Sequence, residues 1–442
     1  MSKIVVGLDI GTTKIACFIG QASENGKVKI LGYGKTKSVG VERGVVRNIL
    51  EASNSIVNAV AEASAKANNF EVKDVYIGIA GQHIKSIQNR ASISLGSRRI
   101  ITEEDIARLI SEQYDIMLNA GEEIIHVLPQ VYYVDGDELP FNIKPVGVLG
   151  NKLEANVLII TANSGNLYSI KESVKRAGLT VKGVILEPIA SGEAVLDSSD
   201  KGESGACLVD IGGGTTDIAI FKDDVIYHTA VIPMAGDAID KDIMLGCSVV
   251  QGQAESLKIK FGSCLPENVS EDDIISVPGC RNQAAKEISM KNLAHIIHAR
   301  VQLILEQVER EIELSGMKKK IINGVVITGG GAKMNYIDQF TEYVTAMYAR
   351  IGVPNEHLES GAPEEISHPM YATGIGLLLL GIKEEAKKVN EENVSENKGD
   401  KEPEMSDERT ENSGGGSTSG GSIIRKIGKY LEDIFIEKDD VL

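Results

Sequence analysis

The sequence predicts an α/β fold built as two similar lobes, followed by a flexible acidic linker and a terminal amphipathic helix. Three observations predict it. Residues 5–20, VVGLDIGTTKIACFIG, are echoed by residues 206–221, ACLVDIGGGTTDIAIF, which sets Asp9 and Asp210 201 residues apart. Apolar runs alternate with helix-patterned stretches up to residue 382, as expected of strands and helices packed in layers. Near residue 383 the composition changes: residues 383–411 carry six basic and eleven acidic side chains and few apolar ones, and a Gly/Ser run follows at 414–421.

The chain's 442 residues carry 46 Lys and Arg against 63 Asp and Glu, a net charge of −17, with 42% hydrophobic residues and 46 glycines. That length and composition suit two or three globular domains, or one large two-lobed domain, with a sizeable core. A protein that coats nucleic acid would need a basic face, so no nucleic-acid partner is expected. Cys17, Cys207, Cys247, Cys264 and Cys280 lie far apart with no CxxC pair. This argues against zinc or thioredoxin-type sites and for free thiols in a reducing compartment. Met1-Ser2-Lys3 runs straight into Ile4–Leu8, a strand pattern rather than a signal peptide. The longest apolar run, Ile375–Ile382, is eight residues, short of the roughly 20 that span a bilayer. A soluble intracellular body is the expectation.

Taken in order, the first segment reads as a β-hairpin: strand, Asp9-Ile10-Gly11, a Thr12-Thr13 turn, then a second strand. The second copy repeats this with Asp210 and the Gly212–Thr215 turn. Bare glycine backbone and threonine hydroxyls make an anion nest, and an aspartate just before the turn can hold a hydrated cation. One copy alone is no more than a tight turn. Two copies half a chain apart point to a duplicated phosphate-binding fold that clamps a polyphosphate with Mg²⁺ between the lobes. A third cluster, Gly324–Ala332, is a strand running into Gly329-Gly330-Gly331, with a helical stretch expected from Asn335 to Arg350. Such a turn lets a flat base or ribose lie against main chain. No GxxxxGK[ST] and no strand-linked GxGxxG is present, which sets aside the P-loop and dinucleotide folds.

These segments, in this order, resemble the actin, Hsp70 and sugar-kinase superfamily of ATPases over residues 4–382. Asp9–Lys14 resembles its first phosphate loop and Asp210–Asp217 its second. Glu187-Pro188-Ile189-Ala190-Ser191-Gly192 resembles the start of the connecting helix, and Ile327–Gly331 the adenosine loop. Ala254–Lys258 resembles the ExxK helix, whose Glu255 and Lys258 would lie near ribose and base. The stretches GLDIGTTKI, GQAESLKIKFG, HVLPQVYYVDG from His126 and HPMYATGIGLLLLG are similar to the FtsA family of bacterial cell-division proteins, actin homologues that attach the FtsZ ring to the inner membrane.

The resemblance implies an actin-like ATPase fold with a nucleotide cleft, and a division of the chain. Residues 1–83 with 166–195 and 363–382 would form the first lobe's core, and 84–165 an inserted family-specific subdomain used for self-contact. Residues 196–237 with 311–362 would form the second lobe's core, with 238–310 its small subdomain, where the FtsZ tail would bind. ATP and Mg²⁺ are the implied ligands, with Asp9 and Asp210 orienting the hydrated metal. Gly11, Thr12, Thr13, Lys14, Gly212, Gly213, Gly214 and Thr215 would hold phosphates; Gly236, Glu255, Lys258, Gly329, Gly330 and Gly331 would complete the nucleotide site. Glu187 and Asp210 take the catalytic positions. Glu187 would polarise a water, or equally serve as a carboxylate favoured at a helix N-terminus. Hydrolysis would be slow or incidental. Three positions depart from the family pattern: Ala235 stands for Gly, Asp240 for Thr and Lys152 for Arg. The implied partners are the FtsZ C-terminal tail, further copies in filaments, other divisome proteins and the membrane surface. The implied place is the cytoplasmic face of the inner membrane at the division septum, as a peripheral protein.

Residues 383–421 are expected to be a tether, because they cannot bury enough apolar area to offset ordering. Residues 422–438 then regain a pattern. Ile423, Ile424, Ile427, Tyr430, Leu431, Ile434 and Phe435 fall at offsets 0, 1, 4, 7, 8, 11 and 12, one face of a helix, and Ser422 is an N-cap candidate. Arg425, Lys426 and Lys429 make 422–430 locally +3 although the chain is acidic. Such a helix suits a membrane interface; docking back on the body or on a partner is the alternative. Seven side chains at about 1.5–3 kcal/mol each cap the gain at about 10–20 kcal/mol. Half-burial, helix ordering and the nearby acids lower that to a reversible anchor, which polymerisation would multiply.

Among rival classes, a sugar kinase would need a base and a sugar pocket, and no such constellation is found. An Hsp70-like chaperone would need a β-rich peptide domain after residue 382, where only 60 residues remain. A membrane-linked, pilus-type actin homologue is the closest rival. His295 and His298 read as helix-surface histidines without a third ligand, and Lys318-Lys319-Lys320 as cations at a helix end.

Overall fold

The structure, a computed structural model, describes residues 3–23, 27–140, 143–279 and 284–398. The chain opens with β1 (Val5–Ile10), β2 (Lys14–Ala22) and β3 (Val28–Lys37), then a short hairpin of β4 (Val41–Glu42) and β5 (Val45–Val46). Next come α1 (Ile49–Lys66) and β6 (Asp74–Ile79). An excursion follows through β7 (Lys85–Ile100), α2 (Glu103–Gln113), β8 (Glu122–Val134), β9 (Asp137–Glu138) and β10 (Leu149–Asn163). The chain returns through α3 (Ser164–Arg176), β11 (Thr180–Leu186), α4 (Glu187–Val195) and α5 (Ser198–Lys201). The second lobe runs through β12 (Ala206–Ile211), β13 (Thr216–Lys222), β14 (Val225–Ile232), α6 (Gly236–Cys247) and α7 (Gln251–Phe261). It continues with β15 (Ile274–Val277), β16 (Lys286–Ser289), α8 (Met290–Leu314), β17 (Val325–Thr328), α9 (Ile337–Thr345) and β18 (Ala349–Ile351). The last described helix, α10 (Ala372–Lys398), crosses back to the first lobe.

The internal echo is a duplication of topology. One five-stranded sheet has the order β11-β6-β1-β2-β3, the other β14-β13-β12-β17-β18. In each, the strand ending in Asp-Ile is central, antiparallel to the next strand in sequence and parallel to a later one. The registers correspond: Asp9 lies opposite Ala16 and Asp210 opposite Asp217. β1 and β12 are buried along their whole length, as strands covered on both faces must be, and both read as near-continuous apolar runs.

Each lobe has its own core, and a third core joins them along α4 and α10. Ile189, Ala190, Ile375, Leu377 and Leu378 pack there with Phe18 from the first sheet and Phe221 from the second. The helices cross at backbone contact: a Cβ on Gly376 would fall 1.7 Å from the Ala190 carbonyl oxygen. The excursion between β6 and α3 forms a separate sheet, β7-β10-β8-β9, whose own core takes Ile106, Leu109 and Ile110 from α2. His126 on β8 is wholly buried and accepts the Leu186 N–H at 3.0 Å, linking this excursion to the start of α4.

Two expectations need correction. The helix expected from Asn335 to Arg350 is shorter: α9 ends at Thr345, Ala346 turns left-handed at φ 53°, and Ala349–Ile351 pairs as β18 with β17. The tether expected from Lys383 does not start there, because α10 continues to Lys398. Composition misleads here because the charges are paired rather than solvated. Lys383 donates to Glu193 at 2.5 Å, and Lys388 to Glu384 at 2.5 Å. Glu385, only 3% exposed, holds Lys3, Lys182 and the Tyr76 hydroxyl. The rest of the linker, the 422–438 helix with its seven membrane-face residues, and Cys280 lie outside the described residues. Cys17, Cys207, Cys247 and Cys264 are buried free thiols. Among the described residues no helix is long and apolar enough to cross a membrane.

Candidate functional site

The two hairpin turns face each other across the lobe boundary. Gly11 N–H donates to the Lys14 carbonyl at 3.0 Å, and Gly212 N–H to the Thr215 carbonyl at 2.9 Å, so each loop closes on itself in the same way. Gly213 meets Thr13 and Gly214 meets Thr12. A Cβ at those glycines would fall 2.4 Å from Thr13 Cγ2 and 2.7 Å from Thr12 Oγ1. Any larger residue would hold the lobes apart.

Behind the loops lies a pocket of buried acid. Asp9 is 4% exposed and accepts from Lys14 Nζ at 2.8 Å. Asp210 accepts Ser191 Oγ at 2.6 Å from α4 and Thr373 Oγ1 at 3.3 Å from α10. Asp217 accepts Thr215 Oγ1 at 2.9 Å, while its Oδ1 is buried without a partner. Glu187, first residue of α4, packs its side chain on Gly78. The charges are unbalanced, with Asp9, Glu187, Asp210 and Asp217 gathered around Lys14. Burial, then Asp9, Asp217 and Asp210, raise the Glu187 carboxyl well above the ordinary carboxylate range. Burial and Asp210 push Asp217 up to about 7. Burial also raises Asp210, against the hydrogen bond from Ser191. Burial opposes the charge on Lys14, yet Asp9 keeps its pKa above the usual value.

The far side of the cleft belongs to the second lobe. The first turn of α6 docks on the second loop: Gly236 N–H donates to the Gly212 carbonyl at 3.2 Å and Asp237 N–H to Gly213 at 2.7 Å. Ala235, in place of the family's glycine, has extended backbone at φ −162°, which any residue adopts. Lys258 on α7 donates to the Gly236 carbonyl at 3.1 Å and pairs with Asp240 at 2.7 Å. Gly329, at φ 83°, leaves β17 so close to Asp210 that a Cβ would fall 2.3 Å from Oδ1. Gly330 opens to free space and Gly331 lies on Ile211. The structure therefore gathers Asp9, Thr12, Thr13, Lys14, Glu187, Asp210, Gly212–Thr215, Gly236, Lys258 and Gly329–Gly331 around one cleft. Glu255 is exposed on α7, and its charge acts on Asp237 and on Asp240, the partner of Lys258.

Three participants were not among the residues expected at the site: Ser191 and Thr373 hold Asp210, and Asp217 shares its electrostatics. Asp240, which stands where the family pattern has Thr, pairs with Lys258. The signal for Asp217 stood in the second loop itself, whose last letter it is. For Ser191 and Thr373 the motif stretches were at hand, but only the fold shows that they meet.

The donor set suits a polyphosphate with a divalent cation. Four carboxylates face one lysine, two buried carboxylate oxygens, Asp217 Oδ1 and Asp240 Oδ1, have no partner, and glycine backbone lines the loops. Among the described residues no three acidic, histidine or cysteine side chains are placed to bind an ion directly.

Two family models match the chain: "Cell division protein FtsA" over residues 207–376 and "SHS2 domain inserted in FTSA" over residues 81–161. The chain is 35% identical to the cell division protein FtsA of Pseudomonas aeruginosa over 385 residues, 87% of this chain and 90% of that protein. It is 34% identical to that of Neisseria meningitidis over 433 residues, 97% of this chain and 98% of that one. It is 32% identical to that of Escherichia coli K12 over 386 residues, 86% and 90% of the two chains. Among solved structures, a chain of the PilM–PilN type IV pilus biogenesis complex superposes with TM-score 0.63 at 14% identity, covering 86% of this chain and 98% of that one. MreB 5 of Spiroplasma citri bound to AMPPNP superposes with TM-score 0.50 at 14% identity, covering 89% and 99%. At such identity the structural likenesses speak for the fold alone, an actin-like ATPase fold.

Proposed function

The chain belongs to the FtsA family of cell division proteins, and from that premise we propose that it is an ATP-binding, membrane-attached protein that assembles with its own kind and anchors the FtsZ ring. The observation that carries the nucleotide reading is the pair of facing loops with Asp9 and Asp210 buried behind them. In this reading Gly11–Lys14 and Gly212–Thr215 hold the phosphates through backbone N–H groups and hydroxyls. Ser191 and Thr373 keep Asp210 oriented, and Gly329–Gly331 receives the nucleoside. Mg²⁺, when bound, supplies the positive charge that phosphate oxygens and buried carboxylates both lack. Burial and the neighbouring Asp9, Asp217 and Asp210 favour the protonated form of Glu187, and it lies where it could hydrogen-bond a water. Slow turnover follows, since phosphoryl transfer depends on positioning that a switch need not optimise.

The partners follow from the family and from the chain's layout. The α6–β15 part of the second lobe, within 238–310, is the proposed seat of the FtsZ tail, and it carries exposed Leu245, Ile259 and Ile274. The 84–165 insert is the proposed self-contact within filaments. Residues 422–438 are the proposed anchor on the cytoplasmic face of the inner membrane at the septum, beside other divisome proteins. A pilus-assembly role shares the fold, but the FtsA relatives match at 32–35% identity over most of the chain. The test is co-sedimentation with anionic vesicles in the presence of a labelled FtsZ C-terminal peptide. The intact chain should carry the peptide to the vesicles, and a chain lacking 423–436 should leave both in solution with unchanged ATP binding. If the shortened chain still sediments, the anchor lies elsewhere; if the intact chain ignores the peptide, the division role fails.

A further inference from the structure

We propose that Arg43, at the tip of the β4–β5 hairpin, is a nucleotide-binding residue that contacts the terminal phosphate of a bound nucleoside triphosphate. This rests on the reading of the cleft as a nucleotide site and adds the residue that distinguishes triphosphate from diphosphate.

The first observation is position. Arg43 and Gly44 are the two residues between β4 and β5, and the strands pair as Val41 with Val46 and Glu42 with Val45. Their turn is wedged between the lobes. Gly44 N–H donates to Thr12 Oγ1 at 3.2 Å, and a Cβ on Gly44 would lie 3.0 Å from the Ala80 carbonyl. On the other side, a Cβ on Gly214 would fall 2.8 Å from the Arg43 Cα. The hairpin belongs to the first lobe, so its tip reads the second lobe's phosphate loop directly.

The second observation is the order of contacts along the loops. Gly236 and Lys258, on the nucleoside side, lie against Gly212 and Gly213. Arg43 lies at Gly214 and Thr12, the opposite end of the same loops. A polyphosphate that runs along the loops from the nucleoside therefore ends beside Arg43.

The third is charge. A nucleoside triphosphate brings several negative charges into a pocket already lined by Asp9, Glu187, Asp210 and Asp217. Both cleft lysines are committed, Lys14 to Asp9 and Lys258 to Asp240. Arg43 is exposed and has no ion-pair or hydrogen-bond partner among the described residues. Its planar guanidinium matches phosphate oxygens two at a time.

The fourth is backbone. A two-residue hairpin of this kind needs φ > 0 at both central positions and favours Asn-Gly. Here Arg43 sits at φ 48° and Gly44 at φ 72°. A long cationic side chain at a strained position that asparagine would fill better points to a use for the side chain.

That mismatch supplies the test. Arg43→Asn keeps or improves the turn while removing the charge, and Arg43→Lys restores a charge without the fork. Dissociation constants for AMPPNP and ADP, each with Mg²⁺, are measured by calorimetry on the full chain. Arg43→Asn should weaken AMPPNP by about 10- to 100-fold, the worth of one charge-assisted hydrogen-bonded contact, with ADP binding and melting temperature unchanged. Arg43→Lys should recover part of the loss. Unchanged AMPPNP affinity in Arg43→Asn overturns the assignment, and so does an equal loss for both nucleotides, which would mark the hairpin as a structural strut. A wild-type chain that binds neither nucleotide refutes the cleft reading itself, and this assignment with it.

Discussion

Asp210 is buried in surroundings that raise its pKa, and it keeps its orientation through two hydroxyls, Ser191 on α4 and Thr373 on α10, which meet each other at 3.0 Å where the two helices cross. Ser191→Ala removes the shorter of these bonds from a fully buried site. It should cost about 1 kcal/mol of stability and about fivefold in affinity for Mg·ATP, measured by thermal melts and calorimetry. Asp240→Thr, a return to the family's residue, should act in the opposite direction. It removes a negative charge from the cleft and frees Lys258, so ATP affinity should rise by about threefold to tenfold. A weaker-binding Asp240→Thr would show that the ion pair braces α6 against α7 rather than competing with the ligand. Asp9 and Asp210 were legible in the sequence because each closes an apolar strand before a glycine turn, twice over. Ser191 and Thr373 were not, because they lie 19 and 163 residues from the carboxylate they hold, and short-range patterns carry no such pairing.

Among the elements, α10 departs furthest from its sequence pattern. Its first half reads as a buried helix and its second as solvated tether, yet it is continuous, because buried Glu193 and Glu385 collect the lysines around it. Burial works against both carboxylates, but Lys201 and Lys383 hold Glu193 down to about 2, and Lys182 and Lys3 hold Glu385 down to about 2. A carboxylate depressed in the fold contributes stability that is complete above its unfolded value of about 4.3 and is lost as pH falls toward its folded one. Glu193 and Glu385 should therefore add no change in melting temperature from neutral pH down to about 5 and a fall between about 4.5 and 2, whereas Asp217, pushed up to about 7, adds stability as pH drops from about 7 toward 4. Glu385→Gln should be less stable at pH 7 by about 1–3 kcal/mol and should lose less on acidification. An acid profile identical to wild type would mean that the lysines leave Glu385 in solution. The hairpin elements were legible, since alternation and glycine turns are local. The continuation of α10 past Lys383 was not, since a charged stretch looks the same whether its partners are water or buried carboxylates.

At the scale of the whole molecule, the two lobes are copies of one topology, each with its own core, joined along α4 and α10. The duplication was legible from sixteen residues repeated after 201, and with it the facing of the two loops. The separate β7–β10 sheet was reached through the family resemblance rather than through any pattern of its own. The α4–α10 crossing was legible only in part: the apolar run shows burial, while the closeness of the backbones depends on Gly376 meeting Ala190. The account stands on one claim, that the facing loops form a single Mg²⁺-dependent nucleotide site. Calorimetric titration of ATP into the full chain, with and without Mg²⁺, against the same titration of Asp210→Asn, tests it most directly. The account predicts one site per chain that weakens without Mg²⁺ and is lost in Asp210→Asn, with the fold intact by circular dichroism. ATP affinity and Mg²⁺ dependence that survive unchanged in Asp210→Asn would contradict it.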